Sequence, residues 1–245
     1  MMVLDILKIP FTFFENNNEF EEKILQLLNE DRLHTIFTPN AEIIVNAYKD
    51  KNFQNILKNS SLNLPDGIGI ILLTKKLGYK GLKRFAGIDA MINLINISQK
   101  KGLSIYFLGA KEEVLKDMIE KLRMKFPKII ISGFHHGFFS EVEIEKIIED
   151  INRSKSDILF VALGAPKQEY FIYKNKEKLN VKIAMGVGGS FDVLSERKKR
   201  APKIFIILGL EWLYRLIQEP KRIIKRLPNL LYFLYILLRY DKKIF

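Results

Sequence analysis

The chain has 245 residues, 48% of them apolar, no cysteine and a formal charge of +12. That length and apolar share exclude a disordered chain and supply core for one large α/β domain or two small ones. The missing cysteines exclude disulfides, thiolate metal sites and a cysteine nucleophile.

In chain order, the first apolar stretch, Val3–Ile9, predicts a strand. Asp5 and Lys8 break its hydrophobicity and no small-residue cleavage site follows, so it does not read as a signal peptide. Helices are predicted at Asn18–Asn29, Ala41–Tyr48 and Ile88–Lys101, the last stopped by Gly102, with a strand at His34–Thr38 between the first two. From Ser104 a regular period sets in. SIYFLGA precedes a helix whose Val114, Leu115, Met118 and Leu122 share a face. KIIISGF precedes a helix with Ser140 at its N-cap and Glu143 three residues later, and DILFVALGA one with Pro166 in its first turn. VKIAMGVGGSFD supplies a fourth strand. Short apolar strands alternating with amphipathic helices predict an α/β fold, a Rossmann-like parallel sheet covered on both faces. The expected division is an N-terminal α/β subdomain over 1–103, a Rossmann-like half over 104–195 and a basic helical C-terminal appendage over 196–245.

The appendage holds most of the charge: residues 197–245 carry 13 Lys and Arg against 3 Asp and Glu, +10 of the +12. Basic heads among Leu, Ile, Phe, Trp and Tyr suit a phospholipid leaflet, apolar below and anionic above. Its longest apolar run, Leu230–Leu238, has nine residues, short of the ~18–20 that span a bilayer. Association with an anionic membrane surface is therefore expected to be peripheral. Arg215, Arg222 and Arg226 would line one face of a continuous helix, but Glu219-Pro220 predicts an interruption. Lys221 with Lys225 and Arg222 with Arg226 make a compact basic face within one helix. Such a face suits a lipid diphosphate, an anionic bilayer or nucleic acid. Its leucine and aromatic content favours acyl chains, so nucleic acid is not an expected partner.

Three segments place turn residues and polar side chains just beyond the carboxyl ends of strands, where parallel sheets hold ligands. They are Thr38-Pro39-Asn40, residues 64–69 (LPDGIG) and residues 164–169 (GAPKQE). Asp66, between Pro65 and Gly67 and before an expected apolar helix, IGIILLTKKL, reads first as a turn or N-cap aspartate, with a general base as the functional alternative. Residues 186–192 (GVGGSFD) offer Gly186 and Gly188 as a Gly-x-Gly without the third glycine, so no NAD site is expected. Their backbone amides suit a nucleotide diphosphate, and a turn that only lets strand and helix pack closely fits as well. His34, His135 and His136 make no ligand face and there is no Asp-x-Asp, so neither a metal nor another cofactor is expected.

The segments TPNAEIIVNAYKD (38–50), LPDGIGI (64–70), RFAGIDAM (84–91), FLGAKEEV (107–114), GFHHGFF (133–139), DILFVALGAPKQEYF (157–171), GVGGSFDVLSERKKRAPK (186–203) and LGLEWLYRLIQEPKR (208–222) resemble, in order, the motifs of the WecG/TagA/CpsF family of bacterial glycosyltransferases. The resemblance implies metal-independent, inverting transfer of a sugar from a UDP-sugar donor to a polyprenyl-diphosphate-linked N-acetylglucosamine at the cytoplasmic face of the membrane. Length and basic tail are similar to the TagA branch, which implies N-acetylmannosamine as the sugar and wall teichoic acid linkage-unit synthesis as the setting. By the same resemblance Asp66 matches the catalytic base, acting on the acceptor 4-hydroxyl. Thr38, counted with it as catalytic, and Asn40 match residues lining the donor pocket. Arg84 and Gln168 match further substrate-binding positions, beside Gly186 and Gly188, and Arg215, Arg222 and Arg226 match the residues that grip the lipid diphosphate. Self-association as a homo-oligomer is also implied. The rival readings are a relative using UDP-N-acetylmannosaminuronic acid or another UDP-hexose, a non-catalytic peripheral membrane scaffold, and a nucleic-acid binder.

Overall fold

The structure, a computed structural model, describes residues 1–218 and 220–239; the side chains of residues 215, 216, 218 and 220–226 lie outside the described set. The first elements are β1 (Met2–Ile6), β2 (Ile9–Phe13), α1 (Asn17–Leu28), β3 (His34–Phe37), α2 (Ala41–Lys49), α3 (Lys51–Lys58), β4 (Leu62–Asn63) and α4 (Ile68–Lys76). Then come α5 (Gly87–Lys101), β5 (Ser104–Gly109), α6 (Glu112–Lys125), β6 (Ile130–His135), α7 (Ile144–Arg153), β7 (Ile158–Ala162), α8 (Lys167–Asn175) and β8 (Ile183–Gly186). Four helices close the chain: α9 (Ser190–Leu194), α10 (Lys203–Ile207), α11 (Glu211–Gln218) and α12 (Pro220–Arg239). Two compact units result, one of residues 1–15, 38–86 and 200–245, the other of residues 16–37 and 87–199.

The second unit holds the Rossmann-like sheet, with strands in the order β3-β8-β7-β5-β6, all parallel. Every residue of β7 and β8 is buried, which explains why they read as unbroken apolar runs rather than alternating ones. Edge strand β6 is covered only in part. Phe107 stacks on Phe160 at 5.7 Å between ring centres and meets the edge of Phe191 at the same distance, binding β5, β7 and α9 into one core. The face expected on α6 is the buried one, with Ile119 added. The Glu143 carboxylate accepts from the backbone N–H and the hydroxyl of Ser140, as the Ser-x-x-Glu spacing predicts.

The first unit departs from the sequence reading at its start. Val3–Ile9 is not one strand but the turn of an antiparallel hairpin, β1 paired with β2. Leu7 and Lys8 make the turn at φ +54° and +63°, a left-handed conformation that carries no turn signal in residues of this type. The Leu7 carbonyl accepts from Gln54 Nε2 at 2.9 Å. Helix α3 was not expected. Asp50 closes α2 and caps α3 at once, its Oδ1 accepting from the N–H groups of Asn52 and Phe53. The appendage joins this unit: α12 lies along α2 and α4. Asn229 of α12 links Lys49 and Asn46 of α2, and Lys76 Nζ of α4 donates to the carbonyls of Leu237 and Leu238. Phe233 and Ile236 are buried. Among the described residues no helix is long and apolar enough to cross a membrane.

Candidate active site

Within the first unit, the segments Thr38-Pro39-Asn40 and 64–69 are laced to each other and to the loop carrying Arg84 by backbone hydrogen bonds. The Asp66 N–H donates to the Pro39 carbonyl at 3.2 Å, and the Phe85 N–H donates to the Pro65 carbonyl at 2.8 Å. Thr38–Asn40, Asp66 and Arg84-Phe85 are thereby held as neighbouring loops. Gly67, not Asp66, takes the N-cap position of α4, at φ +82°, and no side chain caps that helix. Only glycine adopts that conformation cheaply. The Asp66 side chain is half-buried at the loop.

Thr38 is buried at the end of β3. Asn40 is the N-cap of α2, its Oδ1 accepting from the N–H groups of Glu42 and Ile43 at 3.0 and 3.1 Å, which leaves Nδ2 as the end able to meet a ligand. Arg84 makes two contacts of its own: Nη2 donates to the Ile206 carbonyl at 2.8 Å and Nη1 pairs with Glu211 at 3.4 Å. Its guanidinium fixes the end of α10 to the start of α11. Glu211 was not singled out by sequence, because its partner lies 127 positions away.

Within the second unit, Gln168, Gly186 and Gly188 come together at the carboxyl ends of β7 and β8. Gln168 is buried, and its Oε1 accepts from the Gly188 N–H at 2.9 Å. A Cβ on Gly186 would stand 2.9 Å from Gln168 Nε2, so only glycine lets the amide lie flat on the turn. Gln168 Nε2 donates to Oε1 of Glu169 at 2.9 Å. Glu169 is fully buried, and this burial pushes its carboxyl up to about 7 against the opposing pull of the Gln168 hydrogen bond. Sequence reading quoted Glu169 within its turn segment but gave it no task. Arg215, Arg222 and Arg226 fall on α11 and α12, but their side chains lie outside the described residues.

Residues 4–244 match the model of the glycosyl transferase WecG/TagA/CpsF family. The chain belongs to this family. A relative from Bacillus subtilis is 38% identical over 187 residues, 76% of this chain and 72% of the relative. One from Bacillus spizizenii is 36% identical over 195 residues, covering 80% and 75%. A third, from Staphylococcus aureus, is 32% identical over 209 residues, covering 85% and 81%. All three are named N-acetylglucosaminyldiphosphoundecaprenol N-acetyl-beta-D-mannosaminyltransferase. The family makes this chain a glycosyltransferase with a Rossmann-like α/β fold.

Proposed function

We propose that the protein transfers N-acetylmannosamine from UDP-N-acetylmannosamine to the 4-hydroxyl of undecaprenyl-diphosphate-linked N-acetylglucosamine, in the making of the wall teichoic acid linkage unit. The acceptor oxygen attacks the anomeric carbon, the bond from that carbon to the UDP oxygen breaks with inversion, and the hydroxyl proton passes to the Asp66 carboxylate. Thr38 and the Asn40 Nδ2 group line the sugar beside that carboxylate. The Gly186–Gly188 turn, which Gln168 holds in place, receives the donor diphosphate at the carboxyl ends of the strands. Cationic side chains, among them Arg215, Arg222 and Arg226, meet the diphosphate charge of donor and lipid without a divalent metal. The observation that carries this reading is the pair of backbone hydrogen bonds lacing the Asp66 loop to Thr38–Asn40 and Arg84-Phe85.

The membrane face belongs to the same proposal. Leu227, Leu231, Leu234 and Leu238 follow one stripe of α12 and are all exposed. Ile204, Ile207 and Trp212 add exposed apolar side chains on α10 and α11. With the basic charge of residues 197–245, this surface suits an anionic leaflet and supports attachment at the inner face of the cell membrane.

The test is release of UDP in the presence of a short-chain lipid-linked N-acetylglucosamine, comparing UDP-N-acetylmannosamine with its uronic acid, glucosyl and galactosyl counterparts, with and without EDTA. The expected result is turnover with the N-acetylmannosamine donor alone, unchanged by EDTA. Preferred turnover of another donor, or loss of activity with EDTA, would contradict the sugar assignment or the metal-free mechanism respectively.

A further inference from the structure

Glu169 is the member of the Gln168 cluster to which the proposed chemistry gives nothing to do, and it is an expensive residue to keep. It is 0% exposed, and its Oε2 has no hydrogen-bond partner among the described residues. A buried carboxyl with one oxygen unsatisfied is disfavoured against an apolar side chain of similar size. Such local violations are concentrated where function requires them.

What Glu169 does touch is Gln168. A glutamine amide has an acceptor end and a donor end, and a half-turn of the amide exchanges them at almost no steric cost. One neighbour, the Gly188 N–H, is a donor and can donate only to the Oε1 end, at 2.9 Å. The other, Glu169 Oε1, is an acceptor and takes only the Nε2 end, at 2.9 Å. An unprotonated carboxyl oxygen accepts whether or not its twin carries a proton, so both neighbours enforce the same amide orientation. The bare Cα of Gly186 supplies the flat seat against which that amide lies.

We infer that Glu169 is a positioning residue: through Gln168 Nε2 it locks the amide with Oε1 toward Gly188, and so holds the Gly186–Gly188 turn in the shape that receives the donor diphosphate. The inference rests on the proposed assignment of that turn to the donor.

The test is calorimetric titration of UDP into the full chain and its variants. Glu169→Leu removes the acceptor, and Glu169→Asp withdraws it by one methylene; each is expected to weaken UDP about tenfold, the size of one lost hydrogen bond. Glu169→Gln, which still presents an oxygen to Nε2, is expected to stay within about threefold of the parent. Added to Gln168→Leu, either disruptive change is expected to do no further harm, because the side chain it acts through is gone. Unaltered UDP affinity in a folded Glu169→Leu or Glu169→Asp chain overturns the inference, and so do losses that multiply in the double variant. Should Glu169→Leu fail to fold, Glu169→Asp carries the cycle. A parent chain that binds no UDP overturns the assignment of the turn instead. Thermal unfolding of the parent, the disruptive Glu169 variant, Gln168→Leu and their double variant then still decides whether the two side chains are coupled.

Discussion

Arg84 and Glu211 stand 127 positions apart in sequence and form an ion pair of 3.4 Å, with side chains only 17% and 10% exposed. The same guanidinium donates to the Ile206 carbonyl, so one side chain from the loop after α4 fastens both α10 and α11. Neutralising the pair with Glu211→Gln is expected to cost about 1.5–3 kcal/mol, the range for a hydrogen bond to a charged group. The 3.4 Å separation and residual exposure place it toward the lower end. Hydrogen exchange should quicken over residues 203–218 and stay unchanged over β7 and β8. Equal exchange in α10 and α11 would mean the pair does not hold them.

Gly69 sets how closely α12 approaches α4. A Cβ there would lie 3.0 Å from the Phe233 ring and 3.1 Å from the Ala41 Cβ. Gly69→Val is expected to push the ring outward and lower stability by about 1–3 kcal/mol, as overpacked cores do. Limited proteolysis within α12 should rise in parallel. An unchanged melting temperature would contradict this packing.

Glu169 imposes a pH dependence on stability. Its carboxyl is raised by burial from 4.5 to about 7, so the folded chain holds this proton more tightly than the unfolded chain. The stabilising contribution is complete below about 4.5 and is lost as pH rises through about 7. Glu169→Gln does not titrate. Its melting temperature relative to the parent should therefore be higher at pH 8 than at pH 5. An offset equal at both pH values would contradict the raised carboxyl.

Membrane attachment is best tested on the exposed stripe of α12, since deleting the appendage would also uncover α2 and α4. Replacing Leu231 and Leu238 together by serine leaves the buried Phe233 and Ile236 in place. Partition onto vesicles containing anionic lipid is expected to fall about tenfold or more, given roughly 1.5–3 kcal/mol for a fully buried leucine. The melting temperature should hardly move. Undiminished partition would assign attachment to another surface.

The second unit was the more legible because its physics is local. Strands such as Ile158–Ala162 are buried on both faces and read as unbroken apolar runs, and α6 shows its buried face at helical spacing. The hairpin over β1 and β2 was hidden because Leu7 and Lys8 turn the chain without glycine or asparagine. Helix α3 was hidden because Asp50 serves two helices at once. The site was legible as segments but not as bonds. Asn40 reads alike as a ligand residue and as a cap, and the structure uses its Oδ1 as a cap. Gln168 and Gly188 lie 20 positions apart, and no periodicity announces their contact.

The most direct measurement is turnover of UDP-N-acetylmannosamine with lipid-linked N-acetylglucosamine by Asp66→Asn, taken together with its affinity for UDP. The Asp66 loop is anchored through its backbone N–H to Pro39, so the amide side chain should leave the loop in place while removing the proton acceptor. The expected result is a fall in turnover of about a hundredfold or more, in line with loss of a general base, with UDP binding retained. Turnover close to that of the parent chain would contradict the assignment of Asp66 as the base.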